Sequence, residues 1–262
     1  MKLYRINALL LKYYYMSINR LDRIFDIVFW PVIDIFIWGF VSFYIYQLSS
    51  DVNILNMIMG GIMMWTLFWR AQQDFSVYIL EDFWSRNLFN LFASPLKDSE
   101  FIISTVIFGF FRALLTFIFL GLLSYFMYSF NILSVNLLGI AVFGFSLMIA
   151  GWAMGIFVAS LIFRFGMRVQ AFAWSAVWLI QPFSAVFYPV SALPNWAQKI
   201  AYILPTSYIF EGMRQLLSGG PINWNYFFIS IAINLVALYL AILFFKSCLR
   251  HARKNGMLVH PE

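Results

Sequence analysis

From Arg112 to Arg164 the chain carries no charged side chain. A stretch of that length cannot lie on a water-facing surface, and it is too long for one helix buried in a soluble core, so it points to a lipid bilayer. The rest of the composition agrees: 63% of the 262 residues are hydrophobic, 21% aromatic and only 11% charged. A soluble domain draws about a quarter of its residues from Asp, Glu, Lys and Arg, so most soluble enzyme classes are excluded. The formal charge of +6 suits either nucleic acid or the inner face of a membrane, and the placement of the charges decides between them. Cys248 is the only cysteine, which rules out an intrachain disulfide. Lys2, Arg5, Lys12, Arg20, Asp22, Arg23 and Asp26 break up the first segment, so no cleaved leader is expected.

A crossing helix needs about 20 apolar residues. On that measure six spans are predicted, over 27–46, 54–71, 101–127, 136–162, 169–187 and 226–245. The turn-forming run Ser129 to Asn136 divides the charge-free stretch into a hairpin, and Pro189, Pro194, Pro205 and Pro221 punctuate the long connection before the last span. The fold class is thus an all-α membrane protein with one transmembrane domain over 1–262.

Lys and Arg collect on one side of these spans. They precede the first, join the second to the third (Arg86, Lys97) and the fourth to the fifth (Arg164, Arg168), and follow the last (Lys246, Arg250, Arg253, Lys254). The opposite loops hold only Lys199 and Arg214, which places both termini in the cytoplasm. In residues 1–25, Leu3, Ile6, Leu9, Leu10 and Tyr13 form a helical stripe with the cations outside it, the pattern of an amphipathic helix lying in the interface.

Chemistry of its own is not expected. No G-x-x-x-x-G-K-[ST] phosphate loop is present, and Leu217-Ser218-Gly219-Gly220, which spells the opening of a nucleotide-facing signature, reads as a Gly-Gly-Pro turn. His251 and His260 both fall in the tail, so no catalytic set, metal site or cofactor site is assigned.

Between the second and third spans, residues 81–96 mix charge with large apolar side chains: Glu81, Asp82, Phe83, Trp84, Arg86, Leu88, Phe92 and Pro95. Phe83, Leu88 and Phe92 recur near helical spacing, which makes a short cytoplasmic helix that either docks a partner or rests on the membrane. Four charges sit at membrane depth, Asp34, Arg70, Asp74 and Arg112. Arg70 and Asp74 are spaced to pair along one helix, with Asp34 and Arg112 left to meet each other or a partner chain. Trp65, Phe68 and Trp69 on span two, with Trp174, Trp178 and Gln181 on span five, offer apolar surface with polar tips, fit either for amphipathic cargo or for helix contacts.

The run Gln181-Pro-Phe-Ser-Ala-Val-Phe-Tyr-Pro-Val-Ser-Ala-Leu-Pro194, then Trp196, Leu204-Pro205-Thr206-Ser207-Tyr208 and Glu211-Gly-Met-Arg214, resembles the hallmark of the ABC-2 family of ATP-binding cassette transporter permeases, in the branch of small bacterial exporters for drugs and lipid-like compounds. The apolar run from Asn87 to Pro95-Leu96 and the Asn19-Arg20 pair leading to Pro31 match it too. Where family members carry Asn-Pro before the late acidic residue, this chain has Leu204-Pro205. The resemblance implies a permease in the bacterial inner membrane that pairs with a second copy or a homologous subunit. Two cytoplasmic ATPase subunits, which bind ATP and Mg, would dock on the 81–96 coupling helix. It also implies that 193–218 dips back into the outer leaflet, with Phe187, Tyr188, Pro189, Leu193, Pro194, Trp196, Pro205, Glu211 and Arg214 forming an outer gate. An amphipathic, lipid-like, drug-like or lipid-linked glycan cargo would leave the cytoplasm by this route. The rival readings are an ATPase-independent secondary transporter and an intramembrane lipid-modifying enzyme.

Overall fold

The computed structural model describes residues 2–19, 21–49 and 52–254; Arg20 and His260 lie outside them. Ten α-helices follow one another among the described residues. They are α1 (Leu3–Ile18), α2 (Leu21–Ser49), α3 (Val52–Trp84), α4 (Leu88–Ala93), α5 (Asp98–Tyr128), α6 (Leu137–Phe165), α7 (Phe172–Ile180), α8 (Asn195–Ala201), α9 (Pro205–Leu217) and α10 (Trp224–Lys254). Among the described residues, five segments are long and apolar enough to cross a membrane: Val28–Leu48, Ile54–Trp84, Asp98–Tyr128, Leu137–Val169 and Trp224–Lys254.

The expected span over 169–187 is not one membrane-length helix. Gly166, at φ 66°, ends α6, and a 3-10 turn over Gly166–Val169 leads into the nine-residue α7. A second 3-10 turn over Gln181–Phe183 closes it, because Pro182 has no N–H to continue the α-helical ladder. The expected end of span two at 71 is also corrected. α3 continues to Trp84, because the polar run Arg70 to Asp74 is buried against other helices instead of ending in water. Residues 81–84 therefore belong to α3, and only Leu88–Ala93 forms a separate short helix. Likewise, residues 21–25 begin α2 and are not part of the N-terminal helix.

The ends of α5 and α6 follow from local chemistry. Ser129 adopts a left-handed conformation (φ 55°) after α5, and Asn131 Oδ1 accepts the Leu133 N–H. Asn136 Oδ1 then caps α6 by accepting from Leu138 and Gly139. Leu217 to Gly220, the string that mimics a nucleotide signature, is the C-cap of α9: Gly219 sits at φ 83° and the Gly220 N–H reaches back to Gln215 O.

α3 and α6 are the central helices, mostly buried along their length, while α2, α5 and α10 expose most of theirs. Small residues bring the central pair together. A methyl group added at Gly151 would lie 2.5 Å from Phe68 O, and one at Gly155 2.8 Å from Gln72 O, so the α6 backbone rests directly on that of α3. The Gly151-x-x-x-Gly155 spacing is the signal in the sequence for this contact. At one end of α3, Gly61 abuts Val186 O; at the other, Phe83 packs on Phe163. At 1.5 Å per residue those points are roughly 33 Å apart, about one hydrocarbon thickness.

Candidate functional site

Each end of the bundle, and the polar layer between them, holds residues singled out above. In the middle, Asp74 of α3 pairs with Arg112 of α5 at 2.9 Å, and Arg112 Nη1 donates to Tyr78 Oη at 2.7 Å. Arg70 Nη1 donates to Gln73 Oε1 at 3.3 Å, its guanidinium lies 4.8 Å from the Trp69 ring centroid, and it is within electrostatic reach of Asp34 on α2. These contacts link charges on different helices. Asp74 reaches across to α5, and the cation felt by Asp34 is Arg70. A helix that buries a charge needs a counter-charge on its neighbour, so these links join α2, α3 and α5 at membrane depth. Tyr78 extends the layer to α1, with its ring 4.5 Å from that of Tyr13, whose hydroxyl lies 3.1 Å from Thr105 Oγ1.

At the α4 end, acidic side chains hold α1 in place. Lys12 Nζ lies 2.5 and 2.8 Å from the two Asp82 oxygens, and Arg5 reaches Glu100 at 3.4 Å. The apolar stripe of α1 faces protein rather than lipid: Ile6, Leu9 and Tyr13 are buried, while Leu3 is exposed. A second stripe, Tyr4, Leu11, Tyr15 and Ile18, is the exposed one.

The coupling segment is narrower than its composition suggests. Phe83 and Leu88 are buried, and Phe92 packs against Phe101, Phe163 and the guanidinium of Arg253. Glu81 and Asp82 are buried as well. Among the described residues of 81–96, the exposed ones are Trp84, Ser85, Arg86, Asn90 and Ala93 to Pro95. Arg86, at φ 52°, turns the chain between α3 and α4. The physical reason is the length of α3, whose last turn remains inside the bundle.

At the opposite end, α9 grips the irregular turn after α7. Arg214 Nη2 donates to Ala185 O at 2.7 Å and to Tyr188 O at 2.8 Å. Glu211 accepts the Val190 N–H at 2.6 Å and pairs with Arg214 at 3.1 Å. Burial draws the Arg214 guanidinium below its ordinary value, and Glu211 opposes that. Thr206 donates to Ser184 Oγ and Ser207 to Phe183 O, each at 2.9 Å. Carbonyls and amides outside regular structure need such partners. Phe187 stacks on Trp38 of α2 at 3.8 Å, Tyr188 donates to Pro182 O, and Trp196 approaches Phe183 at 6.0 Å. Leu193 packs on Ala185, Val190 and Ala201. Pro205 opens α9, whereas Pro189 and Pro194 are exposed. The two halves of the sequence hallmark are thus one hydrogen-bonded unit.

The aromatic candidates do not form one surface. Trp65, Phe68 and Trp69 are buried in the core because α3 is central, whereas Trp174 and Trp178 on α7 are exposed and Gln181 is half-buried. Trp69 and Trp178 join the two sets, 5.9 Å apart. A polar cluster that the sequence reading missed lies between α6 and α10. There, Asn234 Nδ2 donates to Ser146 O at 2.8 Å, and Ser146 and Ser230 hydroxyls are 3.0 Å apart. Its signal was the pair Ser230 and Asn234, one turn apart in an otherwise apolar helix.

The family model described as ABC-2 type transporter matches residues 13–218. That range includes the polar layer, α4 and the α9 clamp. No curated protein matches the chain.

Proposed function

Because the chain belongs to the ABC-2 type transporter family, we propose that it is the membrane-spanning permease of an ATP-driven exporter, worked by separate ATP-binding cassette ATPases. The family is a transport component rather than a catalytic enzyme, and it implies ATPase partners. The chain itself is a multi-pass membrane protein. In this reading two permease chains pair over two ATPases in a bacterial cytoplasmic membrane, and ATP and Mg are bound by the ATPases. An amphipathic, lipid-like, drug-like or lipid-linked cargo moves outward.

The observation that carries the proposal is the mounting of α4. Its exposed neighbours, Trp84, Arg86 and Pro95, sit on a base of Phe83, Leu88 and Phe92 packed into Phe101 and Phe163 of α5 and α6. A push on the exposed side is therefore delivered to three long helices at once. Close packing does not absorb such a displacement, so it travels up α3 to the Gly61 and Val186 contact under the α9 clamp.

The path of the chain supports a reading with six crossings. It leaves α6 at the α4 end, where Phe163 meets Phe83, and enters α10 at the α9 end, where Tyr226 lies near Tyr208. Residues 166–183 make the passage between those ends, as two 3-10 turns flanking α7. An even number of crossings would return both termini to one side, and the excess of Lys and Arg supports the cytoplasm as that side. In this reading α8 and α9 fold back into the outer leaflet, and the stripe Tyr4, Leu11, Tyr15 and Ile18 rests α1 on the inner interface.

Single cysteines at Ser191 and Ser94, introduced in a Cys248→Ala chain, test the arrangement with a membrane-impermeant thiol reagent on intact cells. Ser191→Cys should label from outside, and Ser94→Cys only after permeabilisation. Labelling of both from the same side would sink the topology.

A further inference from the structure

We propose that a cavity between α6, α7, α9 and α10 binds a single-chain amphiphile drawn from the bilayer, one that carries a hydroxyl or amide N–H as a hydrogen-bond donor. The cavity holds about 380 Å³, within the roughly 300–1,000 Å³ of small-ligand sites. It exists because small side chains face each other across α6 and α10: Ala153 on one, Ala237 and Ala241 on the other. Phe68 also lines it, as does Pro205 at the start of α9.

Asn234 gives this apolar space a chemical preference. The residue is fully buried and lines the cavity. Its Nδ2 is committed to Ser146, with O at 2.8 Å and Oγ at 2.9 Å, which fixes the orientation of the amide. Asn234 Oδ1 has no hydrogen-bond partner among the described residues. A buried amide oxygen left in that condition is costly, and a donor on the ligand removes the cost. Asn234 stands ten residues into α10, roughly 15 Å along the helix and close to the middle of a hydrocarbon layer about 30 Å thick. Leu240, which also lines the cavity, is exposed on the same surface as Val236 and Leu243, so the opening faces lipid. The occupant therefore arrives through the hydrocarbon with its donor at mid-depth. An acceptor-only chain of the same size gains nothing from Asn234.

The test uses the purified full chain in lipid nanodiscs, without ATPase or nucleotide, so its outcome is independent of the ATPase-driven reading. The probes are radiolabelled dodecan-1-ol and dodecyl methyl ether, which differ in one hydrogen-bond donor. One alcohol should bind saturably per chain, about tenfold more tightly than the ether, the difference one net hydrogen bond makes. Ala237→Leu should abolish saturable binding of both probes. Asn234→Val should bring the alcohol down to the level of the ether. If Asn234→Val fails to fold, Ala237→Leu and Ala153→Leu still decide the matter. Equal binding of alcohol and ether to the native chain would overturn the proposal, and so would alcohol binding that survives a folded Ala237→Leu.

Discussion

Arg214 and Glu211, one turn apart on α9, divide the backbone of a single irregular loop between them, Arg214 taking the carbonyls of Ala185 and Tyr188 while Glu211 takes the amide of Val190. Their mutual ion pair, at 3.1 Å, locks the two grips together. The loop so held carries Ala185 at φ 56°, a strained conformation that its neighbours must maintain.

Arg214→Gln should therefore release the loop. Hydrogen bonds to a charged group contribute about 1.5–3 kcal/mol each, so a loss of this order in unfolding free energy is expected in detergent. Arg214→Lys should recover part of it, since an ammonium lacks the planar fork. A Cys at Ser191 should react faster with thiol reagents in Arg214→Gln than in the parent chain. Unchanged stability and unchanged reactivity would mean that the loop is held by other contacts.

The Asp74 and Arg112 pair is buried and should behave as a unit. Asp74→Asn or Arg112→Gln alone should cost about 3–5 kcal/mol, because each removes one partner of a buried ion pair. The double variant should cost clearly less than the sum of the two. A double-mutant cycle on thermal or denaturant unfolding measures this. Additive losses would show that the two residues do not act on each other.

How much of this was legible beforehand differs between the ends of the molecule. Long apolar runs and the Ser129 to Asn136 turn depend on local pattern, so α2, α5, α6 and α10 could be read directly. The length of α3 could not. Arg70, Gln72, Gln73 and Asp74 look like the end of a span, yet Arg70, Gln72 and Asp74 meet partners on other elements that suit them to the interior. Phe83 and Leu88 show the same limit, since spacing reveals an amphipathic stripe but not whether protein, lipid or a partner covers it, and both are buried in the bundle. The stripe on α1 misled in the same way. The hallmark around Glu211 to Arg214 was recognisable as a motif, yet its purpose, holding carbonyls more than twenty residues earlier in the chain, depends entirely on tertiary contact.

Gly151 and Gly219 separate two reasons for glycine. Gly151→Ala would force a methyl group to 2.5 Å from Phe68 O on a central helix, so a loss of about 1–3 kcal/mol is expected. Gly219→Ala meets no atom within 4 Å and should lose only about 1–2 kcal/mol, through its left-handed backbone. Trp fluorescence near the α3 and α6 contact should change only in Gly151→Ala. The same change in both variants would argue against direct backbone contact between the two helices.

Lys12→Glu should detach α1, since it places a carboxylate against Asp82, now 2.5–2.8 Å from the Lys12 ammonium. Hydrogen exchange in Leu3–Ile18 should accelerate at least severalfold while α6 is unaffected. Exchange that stays slow would mean that Ile6, Leu9 and Tyr13 hold the helix without the ion pair.

The central claim is that the exposed side of the α3 and α4 corner receives force from an ATPase while the buried side carries that force into the bundle. Its most direct measurement is co-purification of the cognate ATPase with the permease, alongside the thermal unfolding of each permease variant. Trp84→Ala combined with Arg86→Glu should keep the unfolding temperature and lose the ATPase, whereas Phe83→Ala should lower the unfolding temperature, with about 3–5 kcal/mol of stability lost from the cavity it leaves. Full retention of the ATPase by the folded Trp84 and Arg86 variant would contradict the claim.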